Sequence, residues 1–348
     1  MKAIIQDTYG SADVLQAREV DRPEIGDDQV LVRVRAAGVN PADWAIMSGL
    51  PYVARPVYGL RAPKAVIRGT DVSGTVEAVG SRVTRFKPAD EVFGSADGSY
   101  AEYAAAREDH LVSKPANLTF EQAAASPMAG QVAILALRGV QAGQKVLVNG
   151  ASGGIGSFAV QIAKSLGAEV TAVVSTRNVD MARSMGADHV IDYTRENFTR
   201  GGERYDLILD NVSNHSLSDL RRALAPTGIL IPNGGRFDKR WMASGGRIIA
   251  GMVTFRFVSQ TLRTFVMSTK LETLVELKEL IEAGKVVPVM DRTYPLSETA
   301  QALAYVGEGH ARGKTVISMS ASPAASRPDP AAAAFPAASV ASATAVAS

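Results

Sequence analysis

The stretch VLVNGASGGIGSFAVQIAKSLGAEV, Val146 to Val170, decides how this chain is built. With Lys145 before it, KVLVNG reads as a buried strand. A glycine-rich turn follows, Gly150 to Gly156. SFAVQIAKSLG then sets Phe158, Ile162, Ala163 and Leu166 on one helical face, and Gly167 stops the helix. EVTAVVS is a second buried strand. In such a turn Gly153 lets the backbone approach a pyrophosphate, and Gly156 lets the helix pack closely on the strand. The helix N-terminus adds unpaired N–H groups and the positive end of a dipole worth about 0.3–1 kcal/mol. Ser152, Gly153, Gly154, Ile155 and Gly156 are therefore read as a phosphate cradle.

Beyond the cradle, strands and helices keep alternating: NVDMARSMGA is helical, while HVIDY, YDLILDNV and GILIPNG are strand-like. That repetition argues a doubly wound parallel sheet. The first ~120 residues follow another pattern. QVLVRVRAAGVN alternates, and DVSGTVEAVG and DEVFGSADGSYAEYAAA are short apolar runs cut by glycine, as in a barrel or sandwich. LETLVELKELIEAGK is an amphipathic helix, after which the chain returns to strand, helix and strand. The Ala/Ser/Pro tail from Ala321 has almost no large apolar residues and is expected to be disordered.

Composition narrows the classes. The 348 residues include 37 basic and 35 acidic side chains, a net charge of +2, which gives no general pull toward nucleic acid or an anionic membrane. Cysteine is absent, excluding disulfides and every Cys-based zinc site. His110, His189, His215 and His310 are scattered without metal-ligand spacing, so no metal is expected. No signal peptide or membrane span is read, and the expected compartment is the cytoplasm.

The second strand bears on the cofactor. A carboxylate at its end would bind the ribose 2′-OH of NAD and repel a 2′-phosphate. Here it ends VVSTRN: Ser175, Thr176 and Arg177 offer hydroxyls and a guanidinium, which suits a phosphate dianion. The expected cofactor is NADPH. The cradle itself fits two families. Read as Gly150-x-x-x-Gly154-x-Gly156 it resembles the short-chain dehydrogenases, which need a Tyr with a Lys four residues on. None of the nine tyrosines has one, and a whole β-rich domain precedes the cradle.

Read as Ala151-x-Gly153-x-x-Gly156, it resembles the medium-chain dehydrogenase/reductases. AAGVNPADWAIMSGL, GTDVSGTVEAVG, GSYAEYA, GADHVIDY and HARGKTVISM extend that likeness from about Met1 to Ser320 and resemble the zinc-free quinone oxidoreductase group. The resemblance implies an α/β fold, a Rossmann doubly wound parallel sheet inserted in a GroES-like β-rich catalytic domain. The expected boundaries are 1–122 completed by 288–320 for the catalytic domain and 123–287 for the cofactor domain, with 321–348 as tail. It also implies a cleft where nicotinamide meets a small hydrophobic quinone or enone, and a homodimer. Enoyl thioester reduction, zinc-free alcohol oxidation and an NADPH-binding sensor with little turnover stand as alternatives.

Site roles follow by the same likeness. The zinc enzymes of the superfamily place Cys and His in the segments where Asn40 and Thr70 stand here. Asn40 is expected to reach the nicotinamide or the substrate oxygen. Tyr52 would hydrogen-bond a carbonyl, and Thr70 would be a polar cleft contact. Asp71 is read as holding its loop. Tyr193 would line the adenosine phosphate pocket. Asn211, Asn233 and Gly234 lie at C-terminal strand ends, where such sheets bind ligands. Lys314 in RGKTV resembles a cofactor contact, against a surface charge as the alternative. The apolar segment Gly251–Lys270 would line the substrate pocket, cover a dimer edge or form interdomain core.

Overall fold

The computed structural model describes residues 1–234 and 245–320; the expectation for the tail therefore lies outside the described residues. Two sheets carry the architecture. The first has six strands, all parallel, in the spatial order His189–Asp192, Glu169–Val174, Lys145–Asn149, Tyr205–Asp210, Leu224–Pro232 and Thr261–Leu262. The order reverses around the cradle strand Lys145–Asn149, the first in sequence. Such a switch point opens a crevice at the C-terminal strand ends. The strand centres are rich in Val, Ile, Leu and Ala because both faces are covered; Val146, Leu147, Val148, Val170 and Ala172 are fully buried.

The second sheet has seven strands. Along its path run Met290–Pro295, Lys314–Ser318, Gln29–Val39, Asp71–Val79, Glu91–Ser95 and Leu111–Ser113, with Tyr103–Arg107 paired to Gln29–Val39. The alternation read in QVLVRVR is real: Val30, Val32 and Val34 are buried, while Arg33 and Arg35 are exposed. The last strand pairs antiparallel with Gln29–Val39, from Thr315↔Val39 to Ser318↔Ala36. The C-terminal strands therefore complete the N-terminal sheet.

TFEQAAASPMAGQVAILAL forms two helices, Phe120–Ala124 and Pro127–Leu137. Thr119 caps the first, its hydroxyl accepting from the Gln122 N–H at 3.2 Å. Pro127, which has no N–H to continue that helix, opens the second. On the return path Gln161 donates to the Val287 carbonyl at 3.0 Å and accepts from its N–H at 2.8 Å.

Gly251–Lys270 divides between packed and outward-facing residues: Phe265 packs against the main core, and the Thr269 hydroxyl donates to Ser95 of the second sheet at 3.0 Å. Phe255 packs with Leu230 and Leu262 beneath the parallel sheet. Met252, Val253, Phe257 and Val266 point outward, and Val266 is 91% exposed. Among the described residues no helix is long and apolar enough to cross a membrane.

Candidate active site

The cradle forms where the glycines predict it. Helix Gly154–Ser165 starts after Gly153, whose N–H donates to Gly150 O at 3.2 Å. A Cβ on Gly156 would lie 2.2 Å from Gly150 O and 2.7 Å from Ala151 Cα, so this glycine serves the fold. A Cβ on Gly153 would meet only Gly150 O, at 3.5 Å, so nothing in the protein demands glycine there. The space is what a close-approaching pyrophosphate needs. Ser152 and Ile155 flank it, half-buried. Across the cradle, Gly313 N–H donates to Ser152 O at 2.8 Å, bringing the segment before the last strand against it.

That contact leads to Lys314, which is 3% exposed; it is not a surface charge. Its Nζ donates to Asn40 Oδ1 and to Val39 O, and stands 3.8 Å from Asp71 Oδ2. Asn40 precedes helix Pro41–Ser48, and its backbone N–H is held by Asp43 at 2.9 Å. Its side chain turns the other way, donating from Nδ2 to Asp71 Oδ2 at 3.0 Å. The amide expected to reach toward substrate is thus gripped at both ends. Asp71 also accepts from the Met128 N–H, at 3.2 Å, at the start of helix Pro127–Leu137. It holds more than its own loop.

Burial governs the charges of this cluster. It raises the Asp71 carboxyl to about 6, opposed by Lys314 and Asn40. It also raises Asp43, against the Asn40 N–H and the Tyr100 hydroxyl, and lowers Lys314. Tyr100, fully buried, donates to Asp43 at 2.9 Å. Thr70 sits beside Asp71 with its hydroxyl oxygen buried and unpartnered. Tyr52 lies on a short turn, Tyr52–Ala54, with the Arg55 guanidinium 4.6 Å from its ring centre. Val53, Val57 and Leu60 around it are exposed.

At the adenosine end, Arg177 is exposed and donates to the His310 carbonyl at 3.0 Å. The Ser175 hydroxyl accepts from Asn178 at 3.1 Å. Tyr193 is 56% exposed. A carboxylate from the neighbouring strand also stands here. Asp192, at the end of the neighbouring strand, accepts the Thr176 hydroxyl at 2.6 Å. VVSTRN carries no acid itself, but strand pairing sets Asp192 beside Val174.

The C-terminal strand ends hold the remaining residues together. Asn233 Nδ2 donates to Asn211 Oδ1 at 2.7 Å, while Asn211 Nδ2 is buried without a partner. A Cβ on Gly234 would lie 1.9 Å from Asn211 O. The sequence reading missed Arg247, which donates to Asp210 Oδ2 and Ser213 O, each at 2.9 Å. Asp210 itself is fully buried and also accepts from Asn149 at 2.8 Å. The open space at Gly153 and the orphaned Asn211 amide both suit a dinucleotide along this edge.

Comparison with known proteins agrees with this arrangement. The family model described as Alcohol dehydrogenase GroES-like domain matches residues 26–116, and the one described as Zinc-binding dehydrogenase matches 185–317. Among the described residues no group of three or more His, Cys, Asp or Glu side chains is placed to hold a metal ion. The chain is 34% identical over 341 residues to a chloroplastic NADPH-dependent alkenal/one oxidoreductase of Arabidopsis thaliana, covering 91% of this chain and 79% of that one. The quinone oxidoreductase of Coxiella burnetii superposes with a TM-score of 0.80 at 30% identity, over 92% of this chain and 99% of that one. The NADPH complex of Escherichia coli quinone oxidoreductase gives 0.77 at 25% identity, over 91% and 100%. With the glycine cradle, the six-stranded parallel sheet and the cleft residues on one chain, this protein belongs to the medium-chain dehydrogenase/reductases, in the quinone oxidoreductase and alkenal reductase group, and is an NAD(P)H oxidoreductase.

Proposed function

We propose that the protein reduces a quinone or an α,β-unsaturated carbonyl with NADPH, without a metal. The observation that carries this reading is the cluster of Asn40, Thr70, Asp71 and Lys314 beside the cradle. By resemblance, Asn40 and Thr70 stand where the zinc enzymes of the superfamily keep metal ligands, and Asp71 and Lys314 are bound to Asn40. When bound, the dinucleotide supplies a hydride. The protein supplies the surroundings: the cradle Ser152–Gly156 holds the pyrophosphate, and Asn211, Asn233 and Gly234 border the nicotinamide end. Lys314 and Asp71 fix the Asn40 amide. Tyr52 and Thr70 offer hydroxyls to an acceptor oxygen as charge develops on it, donors whose loss typically costs roughly 10²–10³-fold in rate. Hydrogen bonds polarise less than a Lewis acid, which favours an acceptor that is already electrophilic. Exposed Val53, Val57 and Leu60 beside Tyr52 suit an apolar one.

The relatives named above carry the same chemistry in their names: one is an alkenal/one oxidoreductase, the others quinone oxidoreductases. The test is NADPH oxidation, followed optically, against quinones, enones, enoyl thioesters and simple ketones. Turnover is expected with a quinone or an enone. Tight NADPH binding without turnover on any of them would overturn the reading in favour of a sensor.

A further inference from the structure

The 2′ end of the cofactor site contains two opposed elements. Arg177 contributes an exposed guanidinium, anchored by one nitrogen on the His310 carbonyl. One residue earlier, Thr176 has the hydroxyl expected to help hold a 2′-phosphate. Its proton, however, goes elsewhere. Thr176 Oγ1 donates to Asp192 Oδ2 at 2.6 Å. The other carboxylate oxygen accepts the Thr194 N–H at 3.0 Å and the Thr194 hydroxyl at 2.8 Å. Arg195 Nε stands 3.6 Å from Asp192 Oδ2. The hydrogen bond from Thr176, joined by those from Thr194, holds the Asp192 carboxyl below its usual range, so at neutral pH it only accepts.

A hydroxyl has one proton. With that proton on Asp192, Thr176 offers an incoming ligand only lone pairs. Lone pairs accept from a ribose 2′-OH and repel a phosphate oxygen. The Thr194 hydroxyl also donates to Asp192 and lies 3.1 Å from Thr176 Oγ1, so the two hydroxyls and the carboxylate form one closed group. The side chains of Asp192 and Thr194 are thus turned against a phosphate, whereas Arg177 favours one.

We propose that Asp192 is a cofactor-selecting residue acting through Thr176: it fixes the hydroxyl as an acceptor for a ribose 2′-OH, leaving Arg177 to hold a 2′-phosphate, so that NADH is retained as a usable second cofactor. This rests on the dinucleotide reading above and deepens it. The site is thereby balanced between the two cofactors, where VVSTRN alone points to NADPH.

Direct binding tests it without any substrate. NADPH and NADH are titrated separately into the full-length protein at pH 8 and followed by cofactor fluorescence. Thr176→Val removes the acceptor, and with it one hydrogen bond to Asp192, while leaving Arg177 in place; it should weaken NADH about threefold to tenfold and leave NADPH within about twofold, a tenfold change being about 1.4 kcal/mol. Asp192→Asn supplies an amide that can donate to Thr176 and release its proton toward a phosphate. It should raise the NADPH-to-NADH affinity ratio at least about threefold. Thermal unfolding of each variant confirms a folded sample, and Thr176→Val suffices alone if Asp192→Asn does not fold. If Thr176→Val weakens NADPH more than NADH, the hydroxyl donates to the phosphate and the proposal is overturned. An unchanged ratio in folded Asp192→Asn overturns it too. Wild type that binds neither cofactor overturns the dinucleotide reading itself.

Discussion

Gly153 and Gly156 lie three residues apart in one turn and are glycine for different reasons. At Gly156 a Cβ would collide with Gly150 O and Ala151 Cα, both backbone atoms. Gly156→Ala should therefore cost about 1–3 kcal/mol of stability, as overpacking does. Gly153 has an ordinary extended backbone, φ −81°, and room for a methyl group. Gly153→Ala should leave the unfolding midpoint in place and weaken dinucleotide binding at least about tenfold, because the methyl occupies the pyrophosphate's approach. Urea unfolding and fluorescence titration of both variants separate the two. The pattern Gly-x-x-Gly was legible in the sequence because it is local. Lys314 was not: whether a lone lysine is a surface charge or a buried one depends on its pairing with residues 274 or more positions away. Asp192 was missed for the same reason, since it reaches Thr176 only through the pairing of two strands.

At the level of elements, the first five parallel strands and the helices beside the cradle could be read from apolar runs and glycine stops, whereas the helices Leu217–Ala223 and Gly245–Phe255 and the short strand Thr261–Leu262 could not. These strands are buried on both faces, and that leaves a strong mark in sequence. The joints between elements left no such mark. Gln161, in the middle of the cradle helix, looks like an ordinary polar helix residue. It is 6% exposed and clamps both backbone groups of Val287. Gln161→Leu would keep the volume and leave those groups unpaired. A loss of about 1–3 kcal/mol is expected in chemical denaturation, while Gln161→Glu should keep the acceptor half of the clamp. Arg247 was equally silent in the sequence; its partner Asp210 lies 37 positions back.

For the whole molecule, Asp71 is where three parts meet: the helix after Asn40, the helix that begins at Pro127, and the last strand through Lys314. Burial raises its carboxyl from 3.8 to about 6, so the fold penalises the ionised form. The stability contributed by this group is then present below about 4 and lost as pH rises through about 6. Compared with Asp71→Asn, the wild type should lose up to about 3 kcal/mol between pH 4 and pH 7, since each tenfold change in proton affinity on folding is worth about 1.4 kcal/mol. Urea unfolding of both proteins at pH 4, 5.5 and 7 checks the sign.

The strand Lys314–Ser318 sits between Met290–Pro295 and Gln29–Val39. This placement sets an order of assembly on the ribosome. The six parallel strands, from Lys145 to Leu262, are contiguous in the chain and can pair as they emerge. In the sheet begun by Gln29–Val39, the end Ala36–Val39 must wait unpaired on one side until its partner arrives some 275 residues later, Val39 opposite Thr315. During synthesis the dinucleotide half is therefore complete before the catalytic half, and Asn40 gains its grip from Lys314 among the last contacts to form.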